Sequence, residues 1–240
     1  MGTSAKCALK TIAVLFIAFF FLHPPASHVR SLAVSRADAG RLASNGAGSA
    51  NAIPTAGDIN ILAKRAKLTA DTFMQEGFEL RMRYEYSGRF LQQDDKENLH
   101  KLAKRASDGL QAIANAQKEL KNKIEDYEGD DWDDRYGSTG LWRKLSGDLY
   151  VTTLTKGEID FYLALSSQQP QRNKISQDIL AQIDSLNQIH KTAYSQFLKA
   201  KILALLAQTD PAYKPLAEKE FDWLSERSDM SHSTVFRIAI

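Results

Sequence analysis

Residues 99–127 read LHKLAKRASDGLQAIANAQKELKNKIEDY. Taken by threes and fours, the apolar positions are Leu99, Ala103, Ala106, Leu110, Ile113, Leu120, Ile124 and Tyr127, with one polar member, Gln117. The residues between are mostly Lys, Glu, Asp, Asn and Gln. A strand would alternate by two. A 3-4 spacing held for about four heptads predicts an amphipathic helix with a narrow apolar seam. A narrow seam needs a partner helix.

The preceding segment supplies one. Ile59, Leu62, Ala66, Thr69, Phe73, Gly77, Leu80, Tyr84 and Leu91 carry a second 3-4 pattern. Asp58 reads as the N-cap, with Thr55 three residues before it. Gly77 costs about 1 kcal/mol inside a helix, and Ser87-Gly88 marks a weak point. Asp94 or Asp95 would cap the second helix, Asp94 and Glu97 having capping-box spacing. Two helices of roughly 34 residues, each about 50 Å long, predict a long antiparallel hairpin, coiled-coil-like, over residues 58–128.

Residues 129–140 read as an acidic, aromatic loop. Asp130, Asp131, Asp133 and Asp134 crowd around Trp132, with Tyr127 and Tyr136 nearby and Gly129, Gly137 and Gly140 as punctuation. Solvated acids are the ordinary reading of such a run. The aromatics suggest more, because Trp and Tyr are enriched at binding hot spots. Asp130, Asp131, Trp132, Asp133, Asp134 and Tyr136 are therefore the candidate contact with a basic partner, and Trp132→Ala combined with Asp130→Asn and Asp131→Asn is expected to leave the melting temperature nearly unchanged while weakening capture of that partner.

Residues 141–240 predict a C-terminal helical bundle. The stretch 141–165 is the weakest: Val151, Thr152, Thr153 and Thr155 favour helix poorly. Thr155 to Glu158 could start a separate helix, and a short strand at 150–154 is conceivable but has no partner strand. Asn173 reads as the next N-cap, followed by a face of Ile175, Ile179, Ile183, Leu186, Ile189, Ala193 and Phe197. From Phe197 to Ala207 apolar residues cover most of the circumference, which predicts a buried helix at the centre of the C-terminal core. Asp210-Pro211 is a start signal. Tyr194, Ala200 and Leu203, followed by Ala217, Phe221 and Leu224, resemble one tetratricopeptide-like helix pair over about 35 residues, without a second copy at a period near 34. The predicted fold class is all-α throughout.

The N-terminus has a different grammar. Lys6 and Lys10 precede an apolar run, Thr11 to Leu22, followed by small and polar residues. That order predicts a secretory signal peptide over residues 1–39, cleaved near Ala37-Asp38-Ala39 or Ser31-Leu32-Ala33. An uncleaved anchor through residues 11–22 is the alternative, although a span needs about 20 apolar residues. Residues 40–57, rich in Ala, Ser, Gly and Asn, read as a flexible linker. Cys7 is the only cysteine of the 240 residues, so a processed chain has no disulfide or Cys metal site. The whole chain has 31 basic and 29 acidic residues; without residues 1–39 the balance is 27 to 28. Near-neutrality gives no case for nucleic acid.

Catalytic constellations are not legible. Glu97 and His100 have the Glu-x-x-His spacing of di-iron bundles, but Glu97 lies about 160° around the helix from Leu99 and cannot share the core with His100. Gly-x-Ser-x-Gly and calcium-hand spacings are missing. No catalytic, cofactor or metal residues are assigned. The expected function is an exported, non-catalytic helical interaction or structural module, extracytoplasmic, with an unidentified protein partner and room for self-association. The alternative is a small-ligand-binding or sensor bundle, for which Gln117 with Tyr84 is the one polar hint. An enzyme of unfamiliar type comes third.

Overall fold

The computed structural model describes residues 53–87 and 92–226. The expectations on the signal, its cleavage sites, most of the linker, Gly88, Leu91 and the segment from Arg227 onward lie outside those residues. What is described is all-α, with helices packed on one another and no strand among the described residues. No described helix is long and apolar enough to cross a membrane.

Helix α1 spans Ala56–Glu76. Its N-cap is Thr55, three residues before the Asp58 cap read from the sequence. Thr55 Oγ1 accepts from the Asp58 N–H at 3.3 Å, and the Thr55 N–H donates to Asp58 Oδ2 at 2.9 Å. This reciprocal box satisfies two donors that a helix start leaves orphaned, and it places Asp58 at the third helical position. The expected single long helix is interrupted at Gly77, where φ is −88° and ψ 0°. Helix α2, Phe78–Ser87, follows directly. A Cβ on Gly77 would lie 2.9 Å from the Phe73 carbonyl oxygen, so the interruption depends on glycine.

Helix α3 is Gln93–Glu125. Its N-cap, Gln92, makes no side-chain cap, and Asp94 and Asp95 lie inside the first turn instead of capping it. There they still face the positive helix end favourably. Glu76 pairs with Arg105, Thr69 stands against Gly109, and Ile59 shares a cluster with Ile124. Numbers rise on one helix as they fall on the other, so α1 and α3 run antiparallel. The buried face of α3 is wider than the expected seam. Ser107 and Ala114 are buried beside Ala106, Leu110 and Gln117, because α3 meets α1 on one flank and a second helix on the other.

That second helix is α4, Leu141–Ser166, continuous through 150–158, where the sequence left room for a short strand or a second helix start. Trp142 reaches Glu125 at one end and Ser166 reaches His100 at the other, so α4 is antiparallel to α3 along its length. Poor helix propensity costs a few tenths of a kcal/mol per residue. Burying one Leu- or Phe-sized side chain returns about 1.5–3 kcal/mol, and α4 buries Leu145, Leu154, Ile159, Phe161, Tyr162 and Leu165. Thr152 also closes its hydroxyl onto the Asp148 carbonyl at 2.8 Å.

Helix α5, Gln171–Ile189, starts after Pro170, and Asn173 sits within its first turn instead of capping it. Helix α6, Ala193–Ala207, opens with a capping box between Thr192 and Ser195 that the sequence reading did not find. Phe197, Leu198, Ala200, Ile202, Leu203, Leu205 and Leu206 are buried, as its all-round apolarity predicts. Asp210 caps as expected, accepting from the Ala212 N–H at 3.0 Å, but over a short 3-10 turn, Pro211–Tyr213, ahead of α7, Lys214–Ser225. Helices α6 and α7 meet through Phe197, Ala200 and Leu224. Tyr194, placed in the tetratricopeptide-like pair, instead bonds Glu158 on α4.

Helices α5 and α6 reach α4 at Gly157. A Cβ there would stand 3.4 Å from Leu198 Cδ2 and 3.7 Å from Ile179 Cγ2. These are ordinary contact distances for one methyl and leave no room beyond it. Gly157→Ala is expected to hold or raise the urea midpoint, gaining up to about 1 kcal/mol of helix propensity. Gly157→Leu should lose roughly 1–3 kcal/mol through overpacking. Leu110→Asp, at a fully buried site, should cost more than half-buried Leu120→Asp, because a charge without a partner is being desolvated. Equal midpoints for the last two would refute the two-flanked burial of α3.

Candidate functional site

The acidic loop is built from the end of α3 outward. The last carbonyls of a helix lack intrahelical donors. Trp132 supplies one, its Nε1–H donating to the Ile124 carbonyl at 2.8 Å. The Tyr127 hydroxyl donates to Asp131 Oδ1 at 2.7 Å, and Arg135 pairs with the other oxygen of Asp131. A π-helical turn, Asp133–Gly137, swings Tyr136 inward, where only 2% of it is exposed. Its hydroxyl donates to the Pro54 carbonyl at 3.2 Å and ties the loop to the segment entering α1. The Tyr127 and Tyr136 rings meet edge-on with centroids 5.9 Å apart, and Trp132 lies 6.3 Å from Tyr136. Ile59, Ile124 and Leu145 complete this small core. Gly140, at φ +71°, then turns the chain into α4.

The candidate contact residues therefore divide. Asp130, Asp133 and Asp134 are exposed, Asp131 and Trp132 are half-buried, and Tyr136 is in the core. The aromatics hold the loop, so Trp132→Ala is not the neutral probe that the sequence suggested: it removes a helix-end hydrogen bond and a ring contact. Asp126 and Glu128 join the exposed acids. Trp142 is half-buried on α4, with its Nε1–H to Glu125 at 3.2 Å and Lys121 Nζ 5.4 Å from its ring centroid.

Local bonding sets the electrostatics. The Asp131 carboxyl is held below its ordinary range, first by the Tyr127 hydroxyl and then by Arg135. The Glu125 carboxyl is lowered by its bond to Lys121, and further by Trp142, against an opposing desolvation. The Tyr127 phenol is raised by donating to Asp131, and that of Tyr136 by burial.

The other candidates are not assembled. Gln117 is fully buried, with neither carboxamide atom hydrogen-bonded. Tyr84 lies next to Arg83, which pairs with Asp95. Asp95 is 22 residues before Gln117, about 33 Å along α3, so the two form no common pocket. Glu97 and His100 share a surface groove outside the core, and no cluster of three potential metal-binding side chains occurs among the described residues. That groove, at the far end of α3 from the acidic loop, is the feature the sequence reading missed. Its residues come from three segments, 93–101, 165–168 and 172, and only folding brings them together.

A scan against protein-family models, a search of curated proteins and a search of solved structures each return no match.

The loop's pH window follows from these shifts. The depressed carboxyls of Asp131 and Glu125 contribute stability above the unfolded carboxylate pKa, about 4, and lose it as pH falls through their lower folded values. The raised phenols contribute below about 10 and lose it as pH rises through their folded values. In carboxyl-carbon NMR, Asp131 and Glu125 should each titrate below the ordinary value for its own residue type. In an alkaline absorbance titration, Tyr127→Phe and Tyr136→Phe should each remove a late-titrating phenol. Ordinary midpoints at all four sites would contradict the bonding described.

Proposed function

We propose that this chain is an exported, non-catalytic helical interaction module that presents its acidic loop to a basic protein partner outside the cytoplasm. One observation carries the reading. Asp126, Glu128, Asp130, Asp133 and Asp134 are exposed and make no ion pair among the described residues, on a loop that Trp132, Tyr127 and Tyr136 pin to the bundle. Fixing the loop in advance reduces the ordering cost of association. Several like charges on one face speed encounter with a partner of opposite sign and make it salt-dependent. The basic, apolar and small-residue order of residues 1–39 supports export.

A Lys/Arg-rich peptide immobilised on a sensor surface tests the loop. Binding by the parent should fall steeply between low and physiological salt. The variant Asp130→Asn/Asp133→Asn/Asp134→Asn should bind several-fold more weakly at low salt with its melting temperature unchanged. A charge-matched control, Glu119→Gln/Asp178→Asn/Glu226→Gln, alters exposed acids elsewhere and should bind like the parent. Equal loss in both variants would leave only net charge, and the loop would be a connector.

A further inference from the structure

The groove at the opposite end of α3 has the reverse chemistry. It encloses about 190 Å³ between the first turns of α3, the α4–α5 corner and the start of α5. Its ionisable lining is Lys96, Lys101 and Arg172 with His100, against a single carboxylate, Glu97. Glu97 already accepts from Gln93 Nε2 at 3.1 Å. Neither Lys101 nor Arg172 forms an ion pair among the described residues.

The arrangement is partly fixed in advance. Arg172 is half-buried and donates from Nε to the Ser167 carbonyl at 3.3 Å, which ties its guanidinium to the corner. His100 Nδ1 lies 3.4 Å from Ser166 Oγ, whose single hydrogen donates to the Tyr162 carbonyl at 2.9 Å. Two helices begin here, and neither Gln92 nor Pro170 gives a side-chain cap to the N–H groups that follow. Their positive ends add to the side-chain charge. Leu165 supplies an apolar wall.

We propose that this groove binds the phosphate monoester group of a small molecule. Lys101 and Arg172, two lining cations without an ion pair among the described residues, match a dianion. A guanidinium fork suits tetrahedral oxygens better than a lysine point charge does. The volume leaves space beside the phosphate for a short organic body. This site is independent of the acidic loop, and either stands if the other fails.

Glycerol 3-phosphate and inorganic phosphate, each titrated into the ¹⁵N-labelled full chain, test the proposal, with sodium chloride at matched ionic strength as control. Both phosphates should give saturating shifts confined to residues 93–101 and 166–174, glycerol 3-phosphate binding the tighter. Arg172→Gln should weaken binding about tenfold or more, the loss expected for one charge-assisted partner. Lys101→Gln alters an exposed side chain without an ion pair, so it should leave the melting temperature unchanged and weaken binding about threefold. Shifts that chloride reproduces would overturn the site, as would Lys101→Gln binding like the parent. Retention on phosphatidic acid vesicles without any response to glycerol 3-phosphate would overturn the small-molecule ligand.

Discussion

The fold depends on α4 being buried on two sides. One flank, through Leu145 beside Ile59 and Ile124 and through Tyr162 against Phe73, faces α3 and α1. The other, at Gly157, lets Leu198 of α6 and Ile179 of α5 come against its backbone. Without α4, α3 would keep only α1 and the short contact with α2 at Arg83–Asp95, and its second buried row at Ser107 and Ala114 would face water. Without α4, α5, α6 and α7 would also lose their attachment to the N-terminal helices. Phe73 and Tyr162, 5.8 Å apart at their centroids, show the main core running from α1 through to α4.

Because α3 and α4 lie antiparallel along their whole length, they define two ends. At one, Ile124 and Trp142 frame a loop with unpaired carboxylates. At the other, His100 and Ser166 frame a groove where Lys101 and Arg172 make no ion pair among the described residues. Charges of opposite sign thus sit at opposite ends of α3, roughly 45 Å apart by helical rise. That exceeds the Debye length of about 8 Å at physiological salt, so the ends do not neutralise each other. Gln117 lies between them, buried and without hydrogen bonds. An unmade bond of that kind costs about 1–3 kcal/mol.

Much of the helical content was legible because amphipathic helices write their partners into their spacing. The 3-4 seam of α3 and the all-round apolarity of α6 read correctly. The helix starts did not. Asp58, Asp94 and Asn173 all have capping side chains, yet the caps used are Thr55 and none, respectively, for the first two, and α5 begins before Asn173. Asp, Asn and Thr compete for the same orphan donors, and the winner is set by where the entering chain is held. Tyr136 illustrates this by anchoring the Pro54 carbonyl just ahead of the Thr55 cap. The loop aromatics were misassigned for a related reason: a Trp or Tyr has the same composition signal whether it faces a partner or closes the end of its own helix.

By itself the sequence determined the helical class, the apolar faces and the acid-rich character of the loop, since each is a property of neighbours along the chain. Tertiary structure alone decided that α4 is one unbroken central helix. A helix buried on opposite flanks keeps only a narrow exposed strip, here Arg143, Lys144, Gly147 and Val151, so its pattern carries a weak period, and its threonines and valine count against it until packing is included. Tertiary structure alone also decided the cation-lined groove. Lys101 and Arg172 are 71 positions apart, and only the antiparallel return of α4 beside α3 brings their charges to one place.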